Sequence, residues 1–278
     1  MPRQMKSNAL NNSVHPADSK PKSAGLNQVG AKAPAGLILL GTVHYDPKGF
    51  SRTRAFLEGH GTDLILVEIS PFSLQFRKEH SSELRITFLR NLQAVCQKLG
   101  IEPGHARRHV QIASILRQMA IPFEYRASAS YARRAGARIA PVDYSAFSRK
   151  WIETWPEMIS TENIEQLLKL KNSSPSISSL YAQAAMRTGI ARTSHPEILP
   201  AGDAPGWQKR EESMADKIAT ALRAFNPLRP VYIGGWWHLS FGGSVRTLRE
   251  ILGVSPDCCM LLDQVPLRSA LEKIVPCM

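Results

Sequence analysis

No apolar run in the 278-residue chain approaches the roughly 18 to 20 residues that a helix needs to cross a bilayer. A transmembrane segment is therefore not expected. Cysteine is equally scarce: Cys96, Cys258, Cys259 and Cys277, two of them adjacent and none in a Cys-x-x-Cys pair. That spacing indicates neither a zinc knuckle nor a disulfide framework, and buried or idle thiols are the expectation. Acidic residues are in deficit, 23 against 35 Lys and Arg, which leaves a net charge of +12. Segment 1–34 holds five basic residues and one aspartate, so +8 remains for the rest. Rich in Asn, Ser, Lys, Pro and Gly, it reads as a disordered basic leader with too little apolar surface to offset ordering entropy. No apolar stretch follows its basic residues, so a secretory signal is not expected and the cytoplasm is the expected location.

The other basic residues are dispersed, apart from short pairs such as Arg107-Arg108 and Arg133-Arg134. Zinc-finger spacing and RNA-recognition aromatics are both missing, so a solvated basic surface is favoured over a nucleic-acid partner.

With 43% hydrophobic residues the chain can bury a substantial core, and 35–278 reads as one α/β domain. Leu37–Leu40, Leu64–Val67, Arg138–Val142, Val231–Ile233 and Met260–Leu262 are short apolar runs bounded by turn residues, the pattern of buried strands. Helical spacing lies between them, over 72–99, 106–119, 209–225 and 244–252, with a further helix at the C-terminus. The alternation predicts a parallel-rich central sheet with helices on both faces. It lapses over about 151–205, which reads as a helical insertion.

Two distant segments share one design. In 37–57 and 231–252 an apolar run ends in Gly-x-x-His (Gly41 to His44, Gly235 to His238), and an arginine follows each histidine by eight residues, Arg52 and Arg246. A parallel sheet places the carboxyl ends of its strands on one edge, where ligands bind. Glycine allows close backbone approach, and a helix start beyond each loop suits an anion. Glu68, Glu124 and Asp143 are expected at the ends of other strands. Two imidazoles with carboxylates suit zinc, manganese, cobalt or iron. A single histidine after a strand is ordinarily a loop or core residue; it is the matched pair that points to a site. The remaining histidines lack this context and are expected at the surface. Arg210 lies one turn before Met214 on an amphipathic helix, placed to pair with a strand-end carboxylate.

The ordered motifs GTVH (41–44), LILVE (64–68), IAPVD (139–143), REESMADKI (210–218) and YIGGWWH (232–238) resemble the TraB/PrgY family, related to the Tiki proteases. The resemblance covers roughly 36–255. It implies a fold shared with erythromycin-esterase-like and ChaN-like proteins, and a metal site built from the Gly-x-x-His residues and a glutamate. His44, His238 and Glu68 are its leading candidates, then Arg210, Glu124 and Asp143. The chain departs from the family at Trp236-Trp237, where small residues are usual, at Tyr144, where arginine is usual, and in having no carboxyl-terminal membrane segment.

The expectation is a metal-dependent, peptidase-like hydrolase acting on a peptide or other amide or ester. His44, His238, Glu68 and Asp143 are its expected metal ligands, and Glu68, Glu124 and Arg210 its catalytic groups. Gly41, Gly235, Arg52 and Trp237 are the expected substrate contacts. The alternative is a non-catalytic peptide- or haem-binding regulatory protein.

Overall fold

The computed structural model describes residues 36–189 and 204–265. The expected leader, the expected C-terminal helix and part of the expected insertion lie outside the described residues.

The chain runs through β1 (Ile38–Thr42), α1 (Gly49–His60) and β2 (Leu64–Val67), then α2 (Pro71–Leu99), α3 (Pro103–Arg108), α4 (Val110–Met119) and α5 (Phe123–Ala135). After β3 (Arg138–Pro141) come α6 (Ser145–Glu153), α7 (Trp155–Met158), α8 (Thr161–Lys169), α9 (Ile177–Arg187) and α10 (Ala204–Phe225). It continues with β4 (Pro230–Gly235), a 3₁₀ turn (Trp236–Leu239), α11 (Leu248–Leu252) and β5 (Cys259–Leu261).

All the strand pairings are parallel, and the order is β3-β2-β4-β1-β5. This is the α/β architecture expected, and the period-two alternation of its strands explains the two layers. Ile38, Leu40, Ile65, Val67, Val231 and Ile233 point to one face, where they pack with Phe56 and Leu57 of α1 and with Tyr131 of α5. Leu39, Leu64, Leu66 and Tyr232 point to the other, against Met214, Ile218 and Leu222 of α10 and Leu248 of α11. A sheet covered on both faces needs strands that are apolar throughout, which is why the runs are short and continuous.

A third core involves no strand. Phe88, Leu92 and Val95 of α2, Ile112 and Ile115 of α4, Ile152 of α6, Trp155 of α7 and Ile164 of α8 bury one another. The helical layer thus draws on two excursions from the sheet, one after β2 and one after β3. The stretch read as an insertion supplies only part of it.

Several local expectations are corrected. The helix expected over 106–119 breaks at His109, whose backbone is extended (φ −60°, ψ 130°). His109, expected at the surface, is buried with its Nε2 3.1 Å from the carbonyl of Leu170. The helix expected from 244 begins at Leu248, because Thr247 and Glu250 form a reciprocal cap that fixes the start there. Cys96 and Cys259 are buried free thiols, as expected, but Cys258 is disulfide-bonded. Among the described residues no helix is long and apolar enough to cross a membrane.

Candidate functional site

Strands β1 and β4 are neighbours in register, Gly41 opposite Gly234 and Thr42 opposite Gly235. Both Gly-x-x-His motifs therefore leave the sheet at the same edge. His44 lies two residues past β1, and the chain turns immediately after it through Tyr45, whose φ of 74° is a conformation that a non-glycine residue adopts at a cost of order 1–3 kcal/mol. His238 sits inside the 3₁₀ turn after β4.

The two imidazoles are held in the same way. Nδ1 of His44 is 2.9 Å from Glu124 Oε1, and Nδ1 of His238 is 2.6 Å from Glu211 Oε1. Their Nε2 atoms both face Glu68, at 3.9 Å from Oε2 for His44 and 3.0 Å from Oε1 for His238. Glu68 also accepts from the Gly235 amide (2.5 Å) and from Arg210 Nη2 (2.5 Å). Gly235 permits this convergence: a Cβ there would stand 2.9 Å from His44 Nε2 and 3.3 Å from Glu68 Oε2.

Arg210 closes the network. Its Nε and Nη2 bind the two oxygens of Asp143 at 2.7 and 3.1 Å, while the rings of Phe147 and Trp207 lie about its guanidinium. Asp143 is held through both oxygens and pairs with neither imidazole, so it is not brought together with the other expected metal ligands; its Oδ1 also accepts from the Tyr144 amide. Arg210, expected to stabilise charge on a substrate, instead fastens Glu68 to Asp143. Glu124 is not at a strand end: it opens α5 and is buried, where it also accepts from the Thr42 hydroxyl at 2.8 Å.

The charges explain why the network is stable. Burial opposes ionisation of Glu68, but the charges of His238 and Arg210 hold its carboxyl well below the ordinary range. Burial would lower both imidazoles, yet Glu211 and Glu68 raise His238 to about 10, and Glu124 and then Glu68 raise His44 to about 9. Four carboxylates (Glu68, Glu124, Asp143 and Glu211) face one guanidinium, and the two imidazoles supply the remaining positive charge.

The four expected substrate contacts are placed differently, Gly235 within the network and the others outside it. A Cβ on Gly41 would meet Leu239, Leu261 and Trp236 at 3.0 to 3.1 Å, so this glycine serves packing. Arg52 pairs with Asp46 at 2.9 Å, and Trp237 stacks on Trp236 at 4.3 Å. None of Gly41, Gly235, Arg52 or Trp237 lines the cavity of about 660 Å³ onto which His44, Glu68 and Glu124 open. His44 is the half-exposed member of the site, while His238 is buried.

Glu211 was not anticipated. It stands three residues before Met214 and seven before Ile218, on the buried stripe of α10, so its helical position carried the signal. Its second oxygen accepts from the Leu248 amide at 2.6 Å, tying α11 to the site.

Among the described residues no group of three or more His, Cys, Asp or Glu side chains is arranged to hold a metal ion as it stands. The donor chemistry nevertheless suits one. Each Nδ1 is anchored by a carboxylate, the support that histidine ligands ordinarily receive, so that loss of the Nε2 proton would leave two lone pairs able to share an ion with Glu68. His44, His238 and Glu68 are the residues that fit.

Comparison with protein-family models, curated proteins and solved structures returns no match. The likeness to the TraB family accordingly rests on the ordered motifs.

Proposed function

We propose that the chain is a metal-dependent hydrolase of amide or ester bonds, peptidase-like in substrate, with its reaction centre at His44, Glu68 and His238. The observation that carries this reading is the convergence of two carboxylate-anchored imidazoles on Glu68 at the mouth of a cavity. Charge balance supports it, because one divalent cation can take the place of two imidazole protons without changing the net charge of the network.

A cation bound there would polarise a carbonyl and make water a better nucleophile at neutral pH. The chain's own groups have separable tasks. Glu124 and Glu211 fix the rings so that Nδ1 carries the proton and Nε2 faces inward. Arg210 keeps Glu68 ionised and holds both Glu68 and Asp143 in place. His44, half-exposed at the cavity, is the residue that meets substrate.

The test is turnover of a peptide and ester panel by chelator-treated protein, before and after restoring manganese, cobalt or zinc, beside folded His44→Ala. Metal-restored turnover that His44→Ala lacks supports the proposal. Turnover unaffected by His44→Ala sinks it.

A further inference from the structure

The cavity has a wall that the hydrolase reading does not use. Arg77 of α2, Arg117 of α4 and Arg126 of α5 line it, together with Tyr45, Trp151 and Trp207. The carboxylates lining the same cavity are all engaged: Asp46 with Arg52, Glu124 with His44, and Glu68 and Asp143 with Arg210. Among the described residues the three wall arginines have no ion pair. They rest instead on aromatic rings, Arg117 5.0 Å from Tyr45, Arg77 5.0 Å from Trp155 and Arg126 5.8 Å from Phe50. Arg77 is tethered through Nε to the Gln118 carbonyl at 3.2 Å and through Nη1 to Ser73.

This is an unusual use of arginine. Burial pushes Arg77 down to about 10, offset only in part by the charges of Tyr45 and Asp143. Arg117 and Arg126 are exposed on the cavity wall with no carboxylate among the described residues paired to them, so an anion entering the cavity gains charge-assisted contacts there. Guanidinium forks match carboxylate and phosphate oxygens, and the aromatic residues between them suit an apolar body.

We infer that the wall formed by Arg77, Arg117 and Arg126 binds an anionic group of the substrate, a carboxylate or a phosphate, while the apolar part of the molecule lies along Tyr45, Trp151 and Trp207 towards His44. The word substrate rests on the hydrolase reading; capture of the anion does not.

Chelator-treated full-length protein is titrated with three probes of one shape class: hippurate, phenyl phosphate and uncharged benzamide. Hippurate or phenyl phosphate is expected to bind at least about tenfold more tightly than benzamide, the factor one charge-assisted contact supplies. The tighter of the two names the anion. Arg117→Gln, at an exposed position that folding tolerates, is expected to weaken the anionic probe about tenfold, and Arg77→Gln likewise, with benzamide unchanged. Equal affinity for charged and neutral probes, no binding of any probe, or anion affinity untouched in both variants overturns the inference. His44→Ala separates the two proposals. Anion binding retained there, in a protein without turnover on any substrate, leaves the arginine wall standing while the hydrolase reading falls. Metal-restored turnover with no preference for anions does the reverse.

Discussion

Replacing Glu211 by glutamine removes one of the two carboxylates that enclose His238 and leaves the side chain nearly isosteric. In the folded chain His238 is raised from 6.5 to about 10, against the lowering effect of burial, by Glu211 first and then Glu68. A raised pKa contributes stability in full below the unfolded value and loses it as pH climbs through the folded value. Linkage puts that contribution at about 4 kcal/mol at pH 7 and about 1–2 kcal/mol at pH 9. Glu68 retains roughly half of it in the variant, so the lost charge costs about 2 kcal/mol near neutrality. Glutamine also cannot accept from both the His238 ring and the Leu248 amide, which adds about 1–3 kcal/mol at every pH. The sum, about 3–5 kcal/mol, agrees with the usual cost of breaking a buried pair from one side. Urea unfolding with chelator present, repeated from about pH 6.5 to about pH 10, reads the effect. The gap between wild type and Glu211→Gln is expected to narrow by about 2 kcal/mol as pH rises. A gap that stays constant or widens would refute the reasoning that His238 is a charged group held by Glu211. His44 contributes in the same direction, but its half-exposed ring is screened by solvent and no figure is attached to it.

Two further outcomes follow from the geometry. In Glu124→Gln the His44 pKa should fall from about 9 towards 6.5, followed by the NMR titration of its ring proton in chelator-treated protein; an unchanged midpoint would show that Glu124 does not control the imidazole. Gly41→Ala should destabilise the chain by about 1–3 kcal/mol through overpacking against Leu239, Leu261 and Trp236, with cavity binding of hippurate unchanged per folded molecule; a specific loss of binding would return Gly41 to the site.

Much of the sheet was legible because its strands are short apolar runs closed by turn residues, and the doubled Gly-x-x-His showed which two strand ends to compare. Their adjacency was not legible, since β4 enters between β1 and β2 only after some 160 residues of helix-rich chain. Glu124 was misplaced because Ile121-Pro122-Phe123 looks like a strand. Pro122 is in fact the residue before α5, and Glu124 sits in that helix's first turn, where a carboxylate suits the dipole. Asp143 was found, but sequence shows a strand-end acid without showing that Arg210 holds it by both oxygens. Glu211 could have been found from its place on the stripe with Met214 and Ile218. The arginine wall had no such signal: its members come from three helices and share no spacing.

The most direct test of the central claim is calorimetric titration of chelator-treated protein with manganese, cobalt and zinc near pH 7.5, in buffers of different ionisation heat. If the ion enters between His44, Glu68 and His238, binding should saturate at one ion per chain. It should also release about two protons, one from each raised imidazole, and be lost in His44→Ala. No saturable binding, or binding that His44→Ala leaves intact, would contradict the account.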